Sequence, residues 1–163
     1  MDLTLSSRLT DAEKAYLAGI VDGEGSIGYY FHKSKNRYEA TLSIVNTDPR
    51  LMAWIKEKVG IGNFVSARKQ DASGRRKHVA HVWRINNRPR VKEFLEAITP
   101  FLVVKQDQAQ LLLNLWASEP SSSAHTKRAY VLNTPEILNN RLMASLSLKE
   151  LKHAHHELVE GVN

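Results

Sequence analysis

The chain has 163 residues, of which 42% are apolar and 25% charged, with 8 Gly, 5 Pro and no Cys. That is long and apolar enough to bury a core, which excludes disordered and fibrous classes, and zero Cys removes disulfides, thiolate metal sites and cysteine nucleophiles. Lys plus Arg total 23 against 17 acids, a net charge of +6, which favours a polyanionic partner because neutralising phosphates releases counterions.

The N-terminal segment MDLTLSSRLTDAEK carries no basic-then-apolar signal, and no run approaches the roughly 20 apolar residues of a spanning helix. A soluble, intracellular protein without membrane association is expected. Thr10 with Glu13 three residues on fits a capping box, and the helical run AEKAYLAGIV follows. Ala15, Ala18 and Gly19 place small side chains on one stripe, where another backbone can come close. The run stops at Asp22-Gly23-Glu24-Gly25, whose glycines permit a tight or left-handed exit.

From Ser26 the period becomes two. Ile27, Tyr29 and Phe31 share one face and Ser26, Gly28, Tyr30 and His32 the other. After the turn Lys33-Ser34-Lys35-Asn36, a second strand has Tyr38, Ala40, Leu42 and Ile44 inward and Arg37, Glu39, Thr41 and Ser43 outward. Asp48 as N-cap and Pro49 at the first helical position open a helix with Leu51, Trp54, Ile55 and Val59 at helical spacing. A second hairpin is predicted beyond Gly60-Ile61-Gly62, with strands Asn63 to Gln70 and Lys77 to Asn86 around a turn at Asp71-Ala72-Ser73-Gly74. Trp83 and Ile85 then face inward, with His78, Ala80, Val82, Arg84 and Asn86 on the other side.

A helix from about Arg90 to Ile98 presents Val91, Phe94, Leu95 and Ile98, and Pro100 breaks it. Lys105 to Ala117 follows with Leu111, Leu112 and Leu115 inward. Ser118 to His125 reads as a loop, and two shorter helices near Pro135 to Leu146 and Ser147 to Val159 close the chain. His153, His155 and His156 on the last helix read as surface residues, and the three Trp as packing residues.

The order helix, hairpin, helix, hairpin, helix predicts an α+β fold, with one four-stranded antiparallel sheet, helices on one face and a helical tail. The other sheet face would carry Arg, Lys, Tyr, His, Thr and Ser. Charge concentrates there too: Arg68, Lys69, Arg75, Arg76, Lys77, Arg84, Arg88 and Arg90 stand between Ser66 and Arg90 against the single acid Asp71. A solvated face normally mixes signs.

The segment Leu17-Ala18-Gly19-Ile20-Val21-Asp22-Gly23-Glu24-Gly25-Ser26, LAGIVDGEGS, resembles the LAGLIDADG motif of homing endonucleases over ten consecutive positions at a helix-to-strand junction. The order of elements over about residues 10–118 resembles that family's fold as well. One domain across 1–163 is expected, with a core over about 10–118 and a helical tail over about 126–160.

Cutting a phosphodiester calls for a metal that activates water and neutralises the leaving oxygen, and Mg²⁺ prefers carboxylates and water. A carboxylate at a helix end flanked by glycines reaches a ligand with little obstruction, and Glu24 holds that place. The resemblance assigns Glu24 the metal-ligand role of the motif's last acid, with Gly23 offering its carbonyl and Mn²⁺ able to substitute, whereas Ca²⁺ would bind without supporting cleavage. Asp22, a turn earlier, braces the helix end. The motif occurs once, and the resemblance assigns such chains to homodimers, here packed through Ala15, Ala18, Gly19 and Asp22 so that two Glu24 side chains meet.

By the same resemblance Asn46 falls where relatives place a polar residue that orders active-site water, and Arg50 takes a basic position near the scissile phosphates. Lys105, within Pro100-Phe101-Leu102-Val103-Val104-Lys105-Gln106, matches the basic residue of the catalytic centre. The face reading double-stranded DNA would comprise Tyr30, His32, Arg37, Glu39, Thr41, Ser43, Arg68, Lys69, Arg75, Arg76, Lys77, His78, Arg84 and Asn86, since a two-stranded ribbon fits the major groove.

The reading that follows is a metal-dependent, site-specific double-strand endonuclease cutting a long pseudo-palindromic target in intron homing, with no small-molecule substrate. An organelle (chloroplast or mitochondrion) or a bacterial cytoplasm is its expected location. Two alternatives use the same surface without cutting: an intron maturase or DNA-binding regulator of the same fold, and an RNA-binding α+β domain that prefers single strands.

Overall fold

In the computed structural model, one four-stranded antiparallel sheet of order β1-β2-β4-β3 carries helices on one face. The structure describes residues 4–70, 76–119 and 134–160, with side chains at all of these except 67–70, 76–78 and 155–160. Two units emerge, Met1–Gln106 and Asp107–Asn163.

The first unit opens with a short helix, α1 (Leu5–Arg8), which the periodicity did not reveal because it is a single turn. Leu5 and Leu9 are nonetheless core residues, the backbone N–H of Leu5 donates to Glu93 (2.7 Å), and Arg8 donates to the carbonyl of Val59 (2.8 Å). Helix α2 (Asp11–Glu24) starts at the expected capping box: Thr10 accepts from the Glu13 N–H, and Glu13 accepts from the Thr10 N–H.

The exit of α2 differs from the expected left-handed turn. Asp22, Gly23 and Glu24 are still helical, and Gly25 has φ −89, so the chain passes straight from helix into strand. Gly25 is required there by proximity: a Cβ would lie 2.6 Å from the Val21 carbonyl oxygen.

Strands β1 (Gly25–His32) and β2 (Arg37–Asn46) pair from Gly25↔Ile44 to His32↔Arg37, joined by a 3₁₀ turn and Asn36 in the left-handed region. Ile27, Tyr29, Ala40, Leu42 and Ile44 are buried as the alternation predicts. Phe31 does not follow its inward assignment: it is 43% exposed and meets the Tyr38 ring edge-on instead.

Helix α3 (Pro49–Val59) has Asp48 as its N-cap, and its buried residues are Met52, Ile55 and Val59, with Leu51 and Trp54 half-buried. Strands β3 (Asn63–Gln70) and β4 (Arg76–Ile85) form the second hairpin, β4 a residue earlier at each end than expected. Just before β3, Gly62 is obligatory: its φ is +98, and a Cβ would fall 2.3 Å from the Trp83 indole nitrogen, which donates to the Ile61 carbonyl.

Helix α4 (Arg88–Ile98) begins two residues before the expected start and buries Val91, Phe94, Leu95 and Ile98, with Trp83 against Phe94. A 3₁₀ turn over Thr99–Phe101 follows at Pro100.

The second unit holds α5 (Gln106–Ser118) and α6 (Pro135–Glu160). In α5, Leu112 and Leu115 are buried as expected, Leu111 is half-buried, and Trp116 is in the core. The two predicted terminal helices are one. No Gly or Pro interrupts the chain from Glu136 to Glu160, so nothing in the Leu146-Ser147 step ends the helix. Within this unit Arg141 and Glu119 form a largely buried ion pair at 2.6 Å. Of the loop expected at Ser118 to His125, residues from 120 onward lie outside the described residues. Among the described residues no helix is long and apolar enough to cross a membrane.

Candidate functional site

The LAGIVDGEGS segment places three groups at the C-terminal end of α2. Asp22 is the brace that its position suggested. Its carboxylate accepts the backbone N–H of Val103 (2.8 Å) and of Lys105 (2.9 Å), and its own carbonyl oxygen accepts a short hydrogen bond from Lys105 Nζ. The last turn of α2 has no basic residue of its own, so Lys105 supplies the cation that the free carbonyls of a helix end favour. Burial holds the Lys105 ammonium below the usual lysine range, and the Asp22 charge opposes that.

Glu24, the last helical residue, is exposed, and among the described residues its carboxylate makes no hydrogen bond or ion pair. Gly23 is exposed beside it, in the turn whose carbonyls lack helical partners. These hard oxygen donors suit Mg²⁺ or a similar ion. Among the described residues, however, no group of three or more His, Asp or Glu side chains converges.

The exposed stripe of α2 differs from the expected one. Ala18 is fully buried in its own chain and cannot line a face toward another copy. Ala15 and Gly19 are exposed, and the small outward residues continue at Ala12 and Gly23, with Tyr16 packed edge-on against Trp54 beside them. Asp22 is half-buried and occupied by its bonds to Val103 and Lys105 rather than turned outward.

Asn46, the final residue of β2, accepts the Asp48 N–H at 2.8 Å, which forms the turn into α3. Arg50 is exposed, with its Nε and Nη2 donating to the Asp48 carboxylate at 2.6–3.1 Å, and this contact holds Asp48 down to about 2. Both groups serve the β2–α3 turn in the free chain.

The outer sheet face is polar in the expected positions. Tyr30, Arg37, Arg84 and Asn86 are exposed, and His32, Thr41 and Ser43 half-buried, with the His32 ring 3.1 Å from the Ser34 hydroxyl. Glu39 departs from its assignment. It is 8% exposed beneath Lys35 (2.9 Å) and Arg37 (2.9 Å), and Lys35 first, then Arg37, keeps its carboxyl low. It orients two cations rather than meeting a ligand itself. Arg68, Lys69, Arg76, Lys77 and His78 lie on β3 and β4, but their side chains fall outside the described residues, as Arg75 does entirely.

Alternation put Val82 on this outer face without giving it a role and left Val45 and Val65 unassigned. Cross-strand pairing sets them side by side, Val45↔Val82 and Val65↔Val82. The signal for Val45 was the outward alternation from Arg37 to Ser43.

No protein-family model matches the chain. A curated relative described as "Probable intron-encoded endonuclease aI3", from Dictyostelium discoideum, is 26% identical over 135 residues. The match covers 76% of this chain and 55% of that protein, so the chain spans about half of the relative's length. Among solved structures, the homing endonuclease I-CvuI in complex with its target in the presence of 2 mM Ca superposes with a TM-score of 0.62 at 20% identity, over 86% of this chain and 82% of that one. The archaeal intron-encoded homing endonuclease I-Vdi141I complexed with DNA gives a TM-score of 0.62 at 18% identity, over 86% and 84%. The fold is that of the LAGLIDADG homing endonucleases.

Proposed function

We propose that this chain, which carries the homing endonuclease fold, is a site-specific double-strand DNA endonuclease of intron homing that works as a homodimer. One observation carries the reading: Glu24 is exposed at the end of α2 with no partner among the described residues, two residues after the Asp22 that holds Lys105 and directly before a strand of the polar sheet face. The curated relative's description and the DNA in the solved relatives support the substrate class.

The site asks for a second copy. Two α2 helices meeting through Ala15, Gly19 and Gly23 would bring two Glu24 carboxylates together, a juxtaposition tolerable only with cations between them. Glu24 and the Gly23 carbonyl would hold the divalent ion, Mg²⁺ foremost, Mn²⁺ as substitute and Ca²⁺ without turnover. Bound there, such an ion lowers the pKa of water and neutralises charge on the leaving oxygen. Lys105, anchored through the Asp22 carbonyl, keeps a positive charge beside the scissile phosphate. A long pseudo-palindromic duplex follows from the two-fold pairing of two sheets. The compartment would be one that holds such DNA, an organelle or a bacterial cytoplasm.

Plasmids carrying the uninterrupted insertion site of the chain's own reading frame test this. Linear product with Mg²⁺, lost in Glu24→Gln while binding remains, is the expected result. Tight binding without linearisation in Mg²⁺ or Mn²⁺ would establish the second reading, a maturase or non-cleaving binding protein. The commitment of Asn46 and Arg50 to the β2–α3 turn is the observation that favours that alternative.

A further inference from the structure

The outer sheet face is largely polar along β1 and from Arg37 to Ser43 of β2, yet three valines stand in one row across three strands, with Ala80 next outward along β4. Val45 pairs with Val82 and Val82 with Val65. Val65 is 60% and Val45 42% exposed, and Val82 is half-buried between them. The fold does not require this row, because the core lies on the opposite face with Ile44, Trp83 and Ile85. Neighbouring strands are about 4.8 Å apart, so the row spans roughly 10 Å.

Its surroundings are specific. The adjacent outward row is Ser43, Arg84 and Asn63, with Ser26 beyond Ser43. Arg84 and Asn63 offer hydrogen bonds, and Arg84 a charge complementary to phosphate or a guanine edge. The register also fixes where the row lies along the strands. Gly25 pairs with Ile44, so Val45 lies one residue further, level with Glu24.

An apolar row embedded in a basic, hydrogen-bonding face suits a ligand that is anionic and polar with apolar points. The major groove of duplex DNA is such a ligand, and its apolar feature is the thymine 5-methyl group. We propose that Val45, Val82 and Val65 read thymine methyls at the base pairs nearest the cutting centre. This deepens the endonuclease reading and rests on it.

The full chain is used to select bound duplexes from a randomised library, and each thymine of the selected site is then replaced by deoxyuridine, which removes only the methyl. The expected result is about fourfold weaker binding at one or two thymines per half-site near the centre, the worth of one buried methyl. Val45→Ser, Val65→Ser or Val82→Ser should erase that sensitivity at its own thymine while leaving outlying positions alone. If a site is enriched and deoxyuridine is tolerated throughout, the inference fails and DNA recognition stands. The inference fails equally if every variant keeps the wild-type sensitivity. If no duplex is enriched at all, the endonuclease reading falls and the inference with it. The deoxyuridine series uses the unaltered protein, so it decides even where a variant does not fold.

Discussion

Asp22 and Lys105 are joined twice, although 83 residues separate them: the Lys105 backbone N–H donates to the Asp22 carboxylate at 2.9 Å, and Lys105 Nζ donates to the Asp22 carbonyl oxygen. The same carboxylate takes the Val103 N–H, so one side chain holds both Val103 and Lys105 against the end of α2. The lysine is thereby positioned by the residue two before Glu24.

Replacing Asp22 by Ala releases two backbone N–H groups from a charged acceptor. A loss of about 1–3 kcal/mol in unfolding free energy is expected from urea titration. Cleavage should fall more than that loss explains, because Lys105 then keeps only its Nζ bond to the backbone carbonyl of residue 22 and loses the one that fixes its own backbone. Activity equal to wild type in the folded variant would remove Asp22 from the positioning role.

Gly19→Leu separates association from folding. A Cβ at Gly19 meets nothing within 4 Å in its own chain, and Leu exceeds Gly in helix propensity by about 0.5–1 kcal/mol. The variant should melt no lower than wild type at low protein concentration, yet sediment near 18.4 kDa where the proposed wild-type dimer should sediment at twice that mass. Unchanged sedimentation would exclude the exposed α2 stripe as the contact between copies.

Gly62→Ala acts in the opposite way, on the fold alone. Its φ of +98 is unfavourable for any L side chain, and the new Cβ would press into the Trp83 ring. A loss of about 2 kcal/mol or more is expected, read by guanidinium titration with tryptophan fluorescence.

The capping box predicts an acid limb. The Lys58 ammonium (2.8 Å), then the Thr10 N–H (2.9 Å), hold the Glu13 carboxyl down from 4.5 to about 2. A carboxyl lowered on folding contributes stability that is complete above the unfolded value, and that contribution is lost as pH falls through the folded one. Stability should therefore drop between about pH 4.5 and 2, and Glu13→Gln should flatten that slope. Asp48, held near 2 by Arg50, contributes to the same limb and remains in the variant. A variant with an unchanged acid slope would show that Glu13 keeps its ordinary value.

Local chemistry and period were enough, without coordinates, for the order of elements from α2 to α5, the two hairpins, the capping box at Thr10, the N-cap at Asp48 and the place of Glu24 at a helix-to-strand junction. Each is written in neighbours a few residues apart, where backbone geometry leaves little choice. Tertiary structure decided the rest. Small residues suit a buried stripe and an exposed one equally, so only packing could send Ala18 inward and leave Ala15 and Gly19 outside. A valine in a strand carries no label for its cross-strand partner, so the row of Val45, Val82 and Val65 awaited the register between hairpins. The hold of Asp22 on Lys105 is likewise absent from any local pattern, because it forms only when the chain returns to the end of α2.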